Sequence, residues 1–254
     1  MSERHLRQCW MSKFLPNLPN DNVKTVVMST EFQNISKAIG EVGIKILPTK
    51  PIEKFYPFEK SHADMQFFHY SSDTAFILKE SLYLKEELEK YIENVIVIEE
   101  TAQREYPKNV LLNAVSLKGN IICNPKCISD NISHAIEQKR TYVYRVGQGY
   151  TKCSTCIVTQ DSIITSDKSI YNACKNDFDV LLISPGFIDL PGASYGFIGG
   201  CSFKYNKDIL MFTGNIKNHP DYISIKNFCR NHNVYIESLV NDNLTDIGSV
   251  IPVE

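Results

Sequence analysis

No stretch of this sequence comes near the ~18 consecutive apolar residues that a membrane span needs. The opening residues, Met1 to Trp10, carry His, Arg and Cys but lack the apolar core of ~7–15 residues that marks a secretory signal. There is no basic excess: 27 Lys and Arg stand against 29 Asp and Glu, a net charge of -2. A nucleic-acid footprint needs a basic face, so that class of partner is not expected. There is no low-complexity tract and no internal linker. These absences point to a cytoplasmic protein with neither membrane nor nucleic-acid partner. In a reducing compartment the eight cysteines are expected as free thiols. At 43% hydrophobic and 22% charged residues the composition is that of an ordinary globular chain, and 254 residues bury enough surface to fold without disulfides.

What is present is a pattern repeated five times. Each copy has a β-rich run, a turn, an apolar run, a helical stretch and a further apolar strand. The first reads His62–Tyr70, Ala75–Leu78, Ser81–Ile92 and Val95–Ile98, and the second Val110–Leu117, Ile121–Cys123, Asp130–Lys139 and Tyr142–Val146. The third reads Cys153–Thr159, Ile163–Thr165, Lys168–Asn176 and Val180–Ile183, and the fourth Phe197–Tyr205, Ile209–Phe212, Pro220–Arg230 and Val234–Ile236. The fifth copy is split. Its later parts open the chain at Thr25–Met28, Glu31–Ile39 and Ile44–Leu47, and its first strand is sought in Thr245–Val253. Middle strands counted from Thr25, Ala75, Ile121, Ile163 and Ile209 lie 50, 46, 42 and 46 residues apart. Units of this size bury their apolar faces against neighbours, and a split unit predicts a ring closed by the two chain ends. The expected fold is a single α/β propeller of five pseudosymmetric ββαβ units over residues 23–254.

Residues 1–22 read as an extended leader, because Pro16 and Pro19 lack amide donors and fix φ. Trp10 and Phe14 would staple it to the body. Ser81, Ser129-Asp130 and Asn218 stand where helix N-caps belong. The strand after each helix is apolar throughout, as a strand covered on both faces would be.

In a ring of repeats the first strand of each unit approaches the axis. The aligned segments start at His62-Ala63-Asp64, Asn109 to Asn113, Lys152-Cys153-Ser154-Thr155-Cys156, Gly196 to Cys201 and Thr245-Asp246-Ile247-Gly248-Ser249. Each carries polar residues that break the apolar pattern. Buried polar groups are costly unless paired, so a cluster at the axis calls for a ligand or a network. Cys153 and Cys156 would face opposite sides of a regular strand, which leaves one at the axis.

This arrangement resembles the guanidine-modifying, or pentein, superfamily of five-bladed α/β propellers, over about residues 23–254. His62-Ala63-Asp64-Met65 looks like the His-x-Asp-Met strand of the agmatine and arginine deiminases. Val110 to Asn113 resembles their next core strand, and Gly149 to Gln160 the glycine-led strand that carries the nucleophilic cysteine. The chain as a whole is also similar to a bacterial family of that fold. The resemblance implies a hydrolase or transferase acting on a small cationic guanidine or amidine through a covalent thiol adduct. Cys156 would be the nucleophile, or Cys153 in the other register, and His62 the acid and base. Asp64, Asp246, Asn113, Gly199 and Gly200 would bind substrate, with no metal and no cofactor. The Glu-Gly-Gly strand of the deiminases has no counterpart: Ile198-Gly199-Gly200-Cys201 and Leu244 to Gly248 supply no Glu.

Other readings stand beside this one. Free cysteines are often small core hydrophobes, the expected role of Cys174 and Cys229, while Cys201 is either core or a third candidate thiol. Cys123/Cys127 and Cys153/Cys156 have the spacings of a four-cysteine zinc site. A ring that binds a protein or small molecule without catalysis is a further alternative. His219-Pro220-Asp221 reads as a helix cap. His69, His134 and His232 are expected on strand ends or helix surfaces without a role.

Overall fold

The computed structural model describes residues 14–254. The proposed staple Trp10, with the rest of 1–13, lies outside the described residues. Five sheets of three strands follow one another along the chain. They are β15 (Ile251–Pro252), β1 (Thr25–Ser29) and β2 (Lys45–Thr49); β3 (Phe67–Ser71), β4 (Thr74–Ile77) and β5 (Asn94–Val97); β6 (Val115–Leu117), β7 (Asn120–Cys123) and β8 (Val143–Arg145); β9 (Cys156–Thr159), β10 (Ser162–Thr165) and β11 (Asp179–Leu182); and β12 (Ser202–Lys204), β13 (Ile209–Phe212) and β14 (Tyr235–Ser238). In every sheet the first two strands pair antiparallel and the last two parallel. The parallel pair needs a crossover. α1 (Gln33–Glu41), α3 (Lys85–Leu88, after a 3-10 turn at Lys79–Leu84), α4 (Asp130–Lys139), α5 (Lys168–Cys174) and α6 (Tyr222–Asn231) supply it. The split unit is joined across the sequence, with Val26 opposite Pro252 and Val27 opposite Ile251.

Apolar clusters bind adjacent units together. Met65, Phe68 and Phe76 pack with Leu111 and Ile121; Val115 and Ile122 with Ile157 and Ile163; Cys156 and Val158 with Phe212 and Ile225. Val26 and Met28 pack with Phe203 and Met211, and Val27 and Leu47 with Phe67 and Ile77.

Three local features differ from the sequence reading. The first strands are shorter than expected. His62–Gln66 forms an extended residue and one helical turn, α2 (Ala63–Gln66), and residues 110–114, 150–154, 197–201 and 246–249 are turns or irregular. The polar residues there cannot be shared out by strand alternation, because they precede the strands. The last strand of each sheet is not covered on both faces: Ile96, Leu182 and Tyr235 are exposed. Helix starts are also mixed. Ser129 caps α4 by accepting from the Asn131 amide, whereas Asn218 closes a 3-10 turn and the α6 N-cap is Asp221, without a side-chain cap bond. Ser81 sits inside the 3-10 turn and donates to Gln66 Oε1.

The first strand of each sheet, the inner one, has a near end at the preceding turn and a far end at its C-terminus, and residues 14–19 lie against the far ends of β3 and β6. Phe14 stacks on His69 with ring centroids 6.0 Å apart, and Asn17 Nδ2 donates to the Ser116 carbonyl at 3.2 Å. His69 is a buried inner-strand residue rather than a surface one.

Candidate functional site

The turns that precede β3, β6, β9, β12 and β15 bring their polar residues together. Cys153 Sγ donates to Asp64 Oδ2 at 2.9 Å, and Asn113 Nδ2 reaches the same sulfur at 3.3 Å. His62 joins them: donor atoms of His62, Asp64 and Cys153 all lie within 4.8 Å of one another. These residues are nearly inaccessible, with His62 at 6%, Cys153 at 2% and Asp64 at 1% exposure.

Each is placed by its own turn. Asn113 Oδ1 accepts from the amides of Lys152 and Cys153 at 2.7 and 3.4 Å, so one side chain sets the backbone of the cysteine turn and touches its sulfur. Asp64 is anchored by its amide on the Gly248 carbonyl and by Ser249 Oγ, which donates to Oδ2 at 2.6 Å. Its other oxygen, Oδ1, is buried with no partner. Asp246 is the second buried carboxylate, held by the amides of Phe197 and Gly248, both at 2.9 Å. Two glycines make room for this packing. A Cβ on Gly200 would stand 1.8 Å from Asp246 Oδ1, and one on Gly248, at φ +76°, would stand 2.1 Å from the His62 ring. Gly199 and Gly200 therefore permit close approach: Gly199 lies against the carbonyls of Lys152 and Thr155, and Gly200 donates its amide to the Cys153 carbonyl.

Cys156 is not part of this group. It opens β9 and belongs to the apolar cluster with Val158, Ile164, Cys201 and Phe212, and burial pushes its thiol up to about 11. Cys174, Cys201 and Cys229 are likewise fully buried. The two cysteine pairs do not assemble: the one group of three or more metal-capable side chains among the described residues is His62, Asp64 and Cys153. That leaves the four-cysteine zinc arrangement without a structural basis.

Burial and like charge shape the electrostatics. The Cys153 thiol is raised well above its ordinary value, first by burial and then by the negative fields of Asp64 and Asp246. Burial raises Asp246, opposed by His62. Lys152 is buried, at 7% exposure, and lowered by that burial, while Asp64, Cys153, Cys156 and Asp246 act to keep it charged. The cluster holds three buried carboxylates, Asp64, Asp246 and Glu59, against one lysine.

Several members were not singled out from the sequence. Glu59, three residues before His62, is buried at 1% exposure and accepts from Asn109 Nδ2 at 3.0 Å and from the Tyr150 hydroxyl at 2.9 Å. Burial raises its carboxyl, and His62 opposes that. Asn109 and Ser249 lie in the aligned segments, so the repeat register was the signal available for them. Nothing in the local pattern around Glu59 marks it. His219 and Asp221 lie apart from this cluster, where Asp221 Oδ2 accepts from the Ser184 amide at 2.6 Å.

Solved structures share this fold. Inosamine-phosphate amidinotransferase from Streptomyces griseus superposes with a TM-score of 0.60 at 8% identity, covering 95% of this chain and 96% of that one. A mutant of DDAH from Pseudomonas aeruginosa, complexed with citrulline, gives 0.57 at 10% identity, covering 91% and 97%. The agmatine deiminase of C. jejuni gives 0.53 at 9% identity, covering 95% and 97%. At these identities the likeness establishes a pentein-type α/β architecture. No curated protein matches the sequence. One family model does, from residue 26 to residue 251, and nearly the whole described chain thereby belongs to the Family of unknown function (DUF6873).

Proposed function

We propose that the five sheets close into a ring and that its axial cluster performs cysteine-dependent chemistry on a small guanidine or amidine. Cys153 is the nucleophile, His62 the acid and base, and Asp64 and Asp246 hold the cation. The observation that carries this reading is Asp64 Oδ1, a buried carboxylate oxygen without a hydrogen-bond partner. Leaving such an atom unpaired costs free energy that a donor from a ligand would recover. A guanidinium brings N–H donors in a planar fork that matches a carboxylate. It also brings a positive charge to a cluster in which carboxylates outnumber lysines.

The same charge activates the thiol. Asp64 and Asp246 on their own oppose a thiolate. A bound cation offsets both, so the Cys153 proton passes to His62 more readily once substrate is in place. The sulfur then attacks the central carbon, and one C–N π pair moves onto nitrogen. Collapse of the tetrahedral adduct breaks a C–N bond, and the leaving amine takes its proton from His62. Water, deprotonated by His62, adds to the carbon, and expulsion of the sulfur frees the product. In a transferase an acceptor amine takes the place of water. The fold neighbours include an agmatine deiminase, a DDAH complexed with citrulline and an amidinotransferase, which supports this substrate class without choosing within it.

The test is intact-protein mass spectrometry and turnover with a panel of guanidines that includes agmatine and methylguanidine. Wild type and Cys156→Ala are expected to form the adduct and turn over. Cys153→Ala is expected to do neither, and Asp64→Asn to weaken binding about tenfold or more. Adduct formation that persists in Cys153→Ala, or its absence with every guanidine in wild type, removes the assignment.

A further inference from the structure

Ser249 stands out on backbone grounds before any chemistry is considered. It is fully buried and holds φ +72°, a conformation that non-glycine residues rarely adopt, directly after Gly248 at φ +76°. Such strain persists where surrounding structure dictates it, and it gathers at functional sites. The Ser249 hydroxyl is the link between two charged groups. It donates to Asp64 Oδ2 at 2.6 Å and accepts from Lys152 Nζ at 3.2 Å. No direct Lys152–Asp64 ion pair forms among the described residues, so the hydroxyl stands between the two charges. That hydroxyl is the one hydrogen-bond partner of the Lys152 ammonium among the described residues.

We propose that Ser249 is a positioning residue whose hydroxyl holds the Lys152 ammonium beside Cys153 and aims the Asp64 carboxylate at the sulfur. This rests on the reading of Cys153 as the reactive thiol. Without the hydroxyl, Lys152 loses its hydrogen-bond partner and is no longer fixed in place. Asp64 Oδ2, relieved of one donor, holds the Cys153 proton more tightly. Both changes disfavour the thiolate. The charged and titratable groups facing the pair are His62 from the turn before β3, Lys152 from the turn before β9, Cys156 from β9, Lys204 from β12, Asp246 from the turn before β15, and Glu59 with Tyr150 toward His62. All of them remain in the variants below except where named.

The experiment follows iodoacetamide alkylation of Cys153 against pH by peptide mass spectrometry, with Cys229 as the internal control. Below the thiol's midpoint the rate scales with the thiolate fraction, so an upward shift of about one pH unit reads as about tenfold slower labelling at every pH. Ser249→Gly suits this test, because glycine accepts φ +72° and removes only the hydroxymethyl group. It is expected to slow Cys153 about tenfold and leave Cys229 unchanged. Ser249→Ala should slow Cys153 equally despite retaining the strain. Lys152→Met should slow it in the same direction, and Ser249→Gly with Lys152→Met should slow it by less than the product of the two, since the Lys152 contribution is lost only once. An unchanged Cys153 rate in Ser249→Gly, a slowing shared by Cys229, or additive effects of the two substitutions overturns the proposal. If wild-type Cys153 shows no rise in rate with pH, the thiol reading fails first and this inference fails with it.

Discussion

The two ends of the inner strands both bury charged side chains, and they treat them in opposite ways. At the far end, polar groups are tied to backbone or covered. Lys204 Nζ donates to the Lys207 carbonyl at 2.8 Å, His69 Nδ1 faces the Pro252 carbonyl at 3.3 Å, and Asn17 donates to the Ser116 carbonyl. At the near end the partners are other side chains: Cys153 with Asp64, Ser249 with Asp64 and Lys152, and Glu59 with Asn109 and Tyr150. One carboxylate oxygen there remains unpaired. A backbone carbonyl is a fixed partner that satisfies one group and stops. A network of side chains is costly when incomplete, and an unpaired carboxylate oxygen, unlike the unpaired His69 Nε2 of the far end, is the group that a cationic ligand would pair. The far end is thus a structural closure, and the near end is the candidate site.

The C-terminal segment serves both ends, so its removal should have the largest effect. Ile247, Val250, Ile251 and Val253 are each at most 3% exposed, and β15 pairs with β1. Burial of four such side chains is worth roughly 1.5–3 kcal/mol each, which together rivals the ~5–15 kcal/mol stability of a typical domain. Deletion of residues 245–254 is expected to abolish the cooperative thermal transition. A soluble truncation that still melts cooperatively would break the ring proposed above and, with it, the common origin of the two ends.

A smaller effect, confined to the far end, comes from acid. Burial lowers His69 from an ordinary 6.5 to about 4, and its Nε2 is buried without a partner. The folded protein therefore holds this ring neutral where the unfolded chain binds a proton. Stability should be fully present above about pH 6.5, fall as the pH drops through the window from 6.5 to 4, and level off below it, a total of about 3 kcal/mol. Urea midpoints followed across that window should show the slope in wild type and lose most of it in His69→Phe. A slope that survives the substitution undiminished would move the acid sensitivity to His219, the other histidine that burial lowers.

The five-unit architecture was legible because apolar periodicity and turn chemistry act locally. The runs at Ile121–Cys123, Asp130–Lys139 and Ile209–Phe212 coincide with observed elements within a residue. The near end was legible as a set of segments, since the repeat register alone aligns His62, Asn113, Lys152 and Asp246. Choice within a segment was not. Whether Cys153 or Cys156 reaches His62 depends on a tight turn at 150–154 that ends one residue before β9, where a longer strand was expected. The apolar outer strands misled in a similar way, because a run such as Asp179–Leu182 reads the same whether one face or both are covered. Glu59 escaped altogether: its partners Asn109 and Tyr150 come from other units, and nothing local foretells them.

The smallest expected effect tests whether the leader is only a cover. Asn17 takes φ +63°, a conformation asparagine tolerates better than most residues, and its side chain makes one buried hydrogen bond to the Ser116 carbonyl. Asn17→Ala removes that bond and places a poorer residue at positive φ, at a cost of about 1–2 kcal/mol. Asn17→Gly removes the same bond while relieving the backbone, so it should cost about 1 kcal/mol or less. The difference between the two variants isolates the backbone contribution from the hydrogen bond. Neither should change the rate at which Cys153 is alkylated, because Asn17 bonds only to the far end. Lys152 is the one residue that lines a small void beside Asn17 and also takes part in the near-end network. A change in Cys153 reactivity in either variant, at unchanged Tm, would therefore mean that the two ends communicate through Lys152, and the division between closure and site would have to be redrawn along that side chain.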